Sequence, residues 1–140
     1  DSGMACHLLG IETESELEKS PFLGAIFEGF IASEILKAQV NAGRRKELYY
    51  FRDQQALEVD FVVPGKNASA TLIEAKAAKT VSAGMAGPMQ RLAAAWRSDP
   101  KRQEIRMMLV SRMSGRAAQS KAVSPGVESV NWRDLAASLF

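Results

Sequence analysis

Two short β-forming runs, residues 57–63 (LEVDFVV) and 71–76 (TLIEAK), are joined across Pro64-Gly65-Lys66-Asn67. Pro and Gly followed by a polar pair favour a chain reversal, and the β-branched runs on either side favour strands, so a hairpin is expected. A third run, residues 47–53 (ELYYFRD), precedes it, which extends the expectation to a three-strand antiparallel meander. Side chains alternate between faces along a strand. Glu58 and Asp60 should therefore share one face with Val59 and Phe61 on the other, and Glu74 and Lys76 one face with Ile73 and Ala75 opposite. Closing the hairpin brings Asp60 beside Glu74 and Lys76.

Two carboxylates held close beside a core repel one another unless a cation neutralises them. Hard oxygen ligands favour Mg²⁺ or Mn²⁺. Such an ion suits phosphodiester hydrolysis, with Lys76 orienting water or stabilising developing charge. The bland alternative is equally compatible with the spacing: neighbouring strands often pair Glu with Lys across a solvated face as plain sheet stabilisation. Pattern alone leaves both open.

Before the strands, Ser20-Pro21 opens a predicted helix reaching about Ala38, with Leu23, Ile26, Phe27, Phe30 and Ile31 at helical spacing and Gly43 at the following reversal. Glu28 and Glu34 lie on it. Glu34 falls between Phe27, Phe30 and Ile31 on the apolar stripe, where a buried capping contact competes with a ligand role. After the strands, Gly84, Gly87 and Pro88 introduce a second helix over 89–97 carrying Leu92, Ala93 and Trp96, with Gln90 near its start. A nearly continuous apolar run at 105–111 reads as an interior strand covered on both faces. Residues 114–125 read as a loop or weak helix, followed by a short segment at 127–130 and a closing amphipathic helix to Leu139. The expected architecture is α/β, a mixed sheet flanked by helices in the order α-β-β-β-α-β plus a C-terminal helix.

Composition excludes several classes. At 140 residues with 46% hydrophobic and 24% charged residues, the chain suits an ordinary globular domain. A formal charge of +2 gives no general electrostatic case for nucleic acid, and Arg44-Arg45-Lys46 reads better as a solvated turn than as a phosphate contact. The lone cysteine, Cys6, excludes an internal disulfide, and with His7 it is too small a set for structural zinc, so both are expected to be packing residues. The sequence carries neither a run long enough to span a bilayer nor a signal pattern, so a cytoplasmic location without membrane contact is expected.

The runs GAIFEGFIASEI (24–35), YYFRD (49–53), EVDFV (58–62) and IEAK (73–76) together resemble the C-terminal domain of predicted bacterial and archaeal AAA-type ATPases, whose members pair a P-loop module with a PD-(D/E)XK nuclease-like tail. The similarity runs through roughly residues 1–96. It implies a restriction-endonuclease-like fold, with residues 1–20 a linker from an upstream ATPase module and residues 21–140 the nuclease-like domain. It further implies Asp60 and Glu74 as motif carboxylates, Lys76 as the motif lysine and Glu28 as the helix carboxylate completing a metal set. Glu34, Glu58, Gln90 and Arg52 are accessory candidates. The nominal motif proline is replaced by Val59, and Gln90 matches a related glutamine only loosely. No phosphate-binding loop lies in this chain, so ATP could act only through the upstream module.

The leading expectation is Mg²⁺- or Mn²⁺-dependent hydrolysis of DNA. The alternative is a non-catalytic accessory module that binds nucleic acid or protein or drives homo-oligomerisation of the ATPase, suggested by exposed-looking Trp132, Phe140 and Met residues.

Overall fold

The computed structural model describes residues 1–98, 104–113 and 124–139. Three helices open the chain: α1 (Ser2–Leu8), α2 (Glu14–Lys19) and α3 (Leu23–Asn41). There follow β1 (Tyr49–Arg52), β2 (Glu58–Pro64), β3 (Ala70–Lys76), a 3₁₀ turn at Ala83–Ala86, α4 (Gly87–Arg97), β4 (Ile105–Ser111), β5 (Val127–Asn131) and α5 (Leu135–Leu139).

The five strands form one mixed sheet in the order β1-β2-β3-β4-β5. The expected meander is present, since β1, β2 and β3 pair antiparallel. Strands β4 and β5 then add parallel to β3. β5 corrects the expected element order, which had no fifth strand. A parallel strand needs a crossover, and α4 supplies the one from β3 to β4.

Helices cover both faces. On one, Phe27, Ile31 and Ile35 of α3, one turn apart, pack with Val63, Ile73, Met108, Val130 and Leu135. On the other, Met89, Leu92 and Ala93 of α4 pack with Val59, Leu72, Met107, Leu109 and Val127. β4 feeds both cores alternately, as its continuous apolar run predicted. Each fully buried Ile or Leu here contributes about 1.5–3 kcal/mol of burial free energy.

Several boundaries move for identifiable reasons. α3 starts at Leu23, two residues beyond Pro21, because Ser20 Oγ accepts the Phe22 N–H at 3.2 Å and holds Pro21-Phe22 in a turn. β1 starts at Tyr49, since the Glu47 backbone is diverted to buried Gln39: its N–H donates to Gln39 Oε1 at 3.0 Å and its carbonyl accepts Gln39 Nε2 at 2.8 Å. Gly43, with φ of +66°, makes the expected reversal after α3.

The N-terminal segment is helical, with α2 closed by a Thr13–Glu16 capping box. His7 is exposed and does not pack, while Cys6 is half-buried on the wall of a cavity lined also by Leu17, Ile26, Phe30 and Trp132. Trp132 is half-buried rather than exposed, edge-on to Phe30 at 5.3 Å with the Arg133 guanidinium 4.4 Å from its ring centre. Of the six methionines, Met89, Met107 and Met108 are in the core, Met85 and Met113 are half-buried, and Met4 is exposed. The polar stretch 114–125 and Phe140 lie mostly or wholly outside the described residues. Among those residues, no helix is long and apolar enough to cross a membrane.

Candidate functional site

The site begins as a fault in the β1–β2 ladder. Arg52 pairs with Glu58 and Phe51 with Val59, but Tyr49 pairs with Val62, so Tyr50 alone faces both Asp60 and Phe61. Two residues opposing one is a β-bulge, which re-aims side chains and bends the strand. Face alternation breaks there: Val59 packs with the α4 core and Phe61 with the α3 core. This corrects the expectation that Val59 and Phe61 share a face.

The β2–β3 ladder runs from Pro64 opposite Ala70 to Phe61 opposite Ile73. Beyond its end the Asp60 side chain acts in place of backbone, Oδ2 accepting the Ala75 N–H at 2.9 Å. Asp60 is thereby anchored to the strand that carries Glu74 and Lys76.

Lys76 Nζ donates to Glu74 Oε1 at 2.6 Å and stands 3.8 Å from Asp60 Oδ2. Asp60, Glu74 and Lys76 thus meet as their spacing predicted. Their exposure is not that of a solvated cross-strand pair: the Glu74 side chain is 6% exposed and that of Asp60 14%, with Lys76 at 34%. Glu74 Oε2 is buried and has no hydrogen-bond partner among the described residues.

Burial, reinforced by the nearby Asp60 charge, pushes the Glu74 carboxyl above its ordinary 4.5 although the Lys76 bond opposes this. Half-buried Glu28, on α3, is likewise raised, first by burial and then by the Asp60 charge. For Lys76, burial works against the ammonium, but the bond to Glu74 and the attraction of Glu74, Asp60 and Glu28 prevail and raise it above 10.5. These mutual influences place Glu28 in the electrostatic neighbourhood of the cluster.

The accessory candidates fare differently. Arg52 and Glu58 form an exposed cross-strand ion pair at 4.0 Å, of the kind that contributes at most about 1 kcal/mol. Glu58 still bears on the site through its charge on Glu28. Glu34 is half-buried and bonded to Lys37 one turn on, at 2.8 Å. Gln90 Nε2 donates to Ser124 Oγ at 2.8 Å and to the Pro125 carbonyl at 3.3 Å, tying α4 to the turn before β5. Arg44, Arg45 and Lys46 are on the exposed loop after α3. The contribution invisible in the sequence is the Ala75 N–H, because a bulge without glycine leaves no local signature.

Among the described residues, no three His, Cys, Asp or Glu side chains close on a common metal position. Mg²⁺, however, commonly uses one or two carboxylates and keeps several waters. Asp60 and Glu74 make such a hard-oxygen pair, and the buried Glu74 Oε2 has no hydrogen-bond donor among the described residues to neutralise it, so the residues fit a divalent cation.

Residues 23–123 match the family described as Domain of unknown function (DUF4143). The chain belongs to that family. The DUF4143 match starts with α3 and includes Glu28, Asp60, Glu74 and Lys76. Among curated proteins, Uncharacterized protein Rv2008c of Mycobacterium tuberculosis and Uncharacterized protein Mb2031c of Mycobacterium bovis are each 38% identical over 63 residues. That stretch is 45% of this chain but 13% of either relative. No solved structure matches the chain.

Proposed function

We propose that this DUF4143 domain is a divalent-metal-dependent phosphodiesterase of the PD-(D/E)XK type, with a restriction-endonuclease-like sheet, acting on DNA and coupled in a longer protein to an ATPase module. The observation that carries the reading is the meeting of Asp60, Glu74 and Lys76 at the bulged end of the β2–β3 ladder. A buried carboxylate with an unpartnered oxygen is costly to maintain, and such perturbed groups concentrate at functional sites.

In this reading Asp60 and Glu74 hold the cation, with Glu28 joining from α3. When bound, Mg²⁺ or Mn²⁺ supplies a Lewis acid for the phosphodiester and a more acidic water. The Ala75 N–H keeps the Asp60 carboxylate in position. The partly exposed Lys76 ammonium meets the negative charge that grows on the phosphoryl oxygens.

The test is isothermal titration of Mn²⁺ into the domain and a Glu74→Ala variant, followed by plasmid cleavage with both. Saturable binding and cutting, both lost in the variant, support the reading. Binding without cutting limits the site to metal capture, and no binding in either protein removes it.

A second reading is an accessory module that binds a partner or assembles the ATPase. It is favoured by the lack of a closed three-ligand set among the described residues and by exposed Tyr49 and Tyr50 on edge strand β1. A stable oligomer by light scattering, together with no Mn²⁺ binding, supports this reading over the first.

A further inference from the structure

Glu74 and Asp60 already have a cation between them, and it belongs to the chain. The Lys76 ammonium is 2.6 Å from Glu74 Oε1 and 3.8 Å from Asp60 Oδ2. Opposite charges this close in a largely buried place stabilise one another's ionised forms. Without Lys76, the buried Glu74 carboxylate would lose its short side-chain bond at Oε1, with Oε2 already unpartnered among the described residues.

We propose that Lys76 is the resident counter-ion of the resting site, occupying the position that a divalent cation takes, and that metal binding proceeds by displacing it from Glu74. The inference rests on the metal-site reading above and adds to it an order of events. Coordination puts a carboxylate oxygen roughly 2.0–2.1 Å from Mg²⁺. An ion bridging Glu74 Oε1 and Asp60 Oδ2 would take the side of both oxygens that the ammonium now faces, and two cations cannot share that position.

Two consequences follow from the length and flexibility of the side chain. Lysine is a compact charge on a four-carbon stem, so it can swing away without moving β3. Its side chain is 34% exposed, leaving a route towards solvent. Once displaced, the ammonium remains at the rim of the site and is free for a phosphate oxygen, so loading the metal also releases the group that meets substrate. The same competition lowers metal affinity, because every binding event breaks the Lys76–Glu74 bond.

The experiment is Mn²⁺ titration by calorimetry of the wild type, Lys76→Met and Lys76→Arg. Met keeps much of the stem and removes the charge, so Lys76→Met should bind Mn²⁺ about tenfold more tightly or better, a factor equivalent to about 1.4 kcal/mol. Lys76→Arg keeps the charge and should gain far less than Lys76→Met. Equal or weaker binding by Lys76→Met overturns the placeholder role.

Because Lys76→Met could fail to fold, the wild type provides an independent readout. With Mg²⁺ added, the Lys76 Cε and Nζ signals in NMR spectra should shift in step with metal saturation as the bond to Glu74 breaks. Signals unmoved at saturation overturn the inference while leaving the metal site intact. No metal binding by either the wild type or Lys76→Met removes the metal reading itself, and this inference with it.

Discussion

Glu74 is sealed between strands with its pKa raised, chiefly by burial, and the sign of that shift makes a prediction. A carboxyl with a higher pKa in the folded state gives stability that is fully present below the ordinary 4.5 and lost as pH rises through the folded value. Glu28 has the same sign. Thermal unfolding of the wild type and Glu74→Gln from pH 4.5 upward should show a shallower loss of stability with rising pH in the variant. Parallel pH curves would show that the Glu74 charge carries no such penalty. Asp60 acts differently, through its bond to the Ala75 N–H. Asp60→Ala should destabilise by about 1–3 kcal/mol, read from urea denaturation, because it leaves a donor beside the core unsatisfied. The meeting of Asp60, Glu74 and Lys76 was legible in the sequence, since alternation and one turn suffice to bring them together. The bulge at Asp60-Phe61 was not, because a bulge is set by how β1 registers on β2 and no residue there demands it. Gln90, Arg52 and Glu58 were visible as polar residues, but their partners were not: each bonds a neighbour that only tertiary packing selects.

At the scale of elements, periodicity succeeded where a segment carried its own signal. The α3 stripe and the continuous apolar run of β4 have spacings that little besides a covered helix and an interior strand can satisfy. β5 went unrecognised because VESVN has only two strongly apolar residues and becomes a strand by pairing with β4, a contact with no local trace. The shortening of β1 has a comparable origin in Gln39, whose amide captures both backbone groups of Glu47. That side chain is 2% exposed, so its two bonds form away from bulk water. Gln39→Ala should cost about 2 kcal/mol from two hydrogen bonds at about 1 kcal/mol each. Amide exchange gives the sharper check: Leu48 and Tyr49 should lose protection in the variant while the β3–β4 amides keep theirs. Uniform loss across the sheet would mean that Gln39 supports the whole core and not one strand end.

For the whole molecule, the open matter is whether α1 and α2 belong to the folding unit. Neither helix buries a residue, and the DUF4143 match begins only at Leu23. Against this, Glu18 reaches back to Lys79 at 2.6 Å and Arg112 at 2.7 Å, and Leu17 and Cys6 face Ile26, Phe30 and Trp132 across a shared cavity. Both helices therefore act as a cover over one side of α3, outside the two cores. A protein starting at Ser20 should still fold, because all five strands, α3, α4 and α5 remain with both cores intact. Its loss should come mainly from newly wetted Ile26 and Phe30, about 1–3 kcal/mol on the scale for apolar side chains that were only partly covered. Urea denaturation should show a lower midpoint with little change in slope, since the surface exposed on unfolding changes little. The Mn²⁺ affinity proposed for the site should be unaltered, because Glu28, Asp60, Glu74 and Lys76 all lie beyond the cut. A truncated protein that cannot fold would place α1 and α2 within the domain; one that folds but binds metal differently would mean that the cover communicates with the site through α3, on which Ile26 and Glu28 are two residues apart.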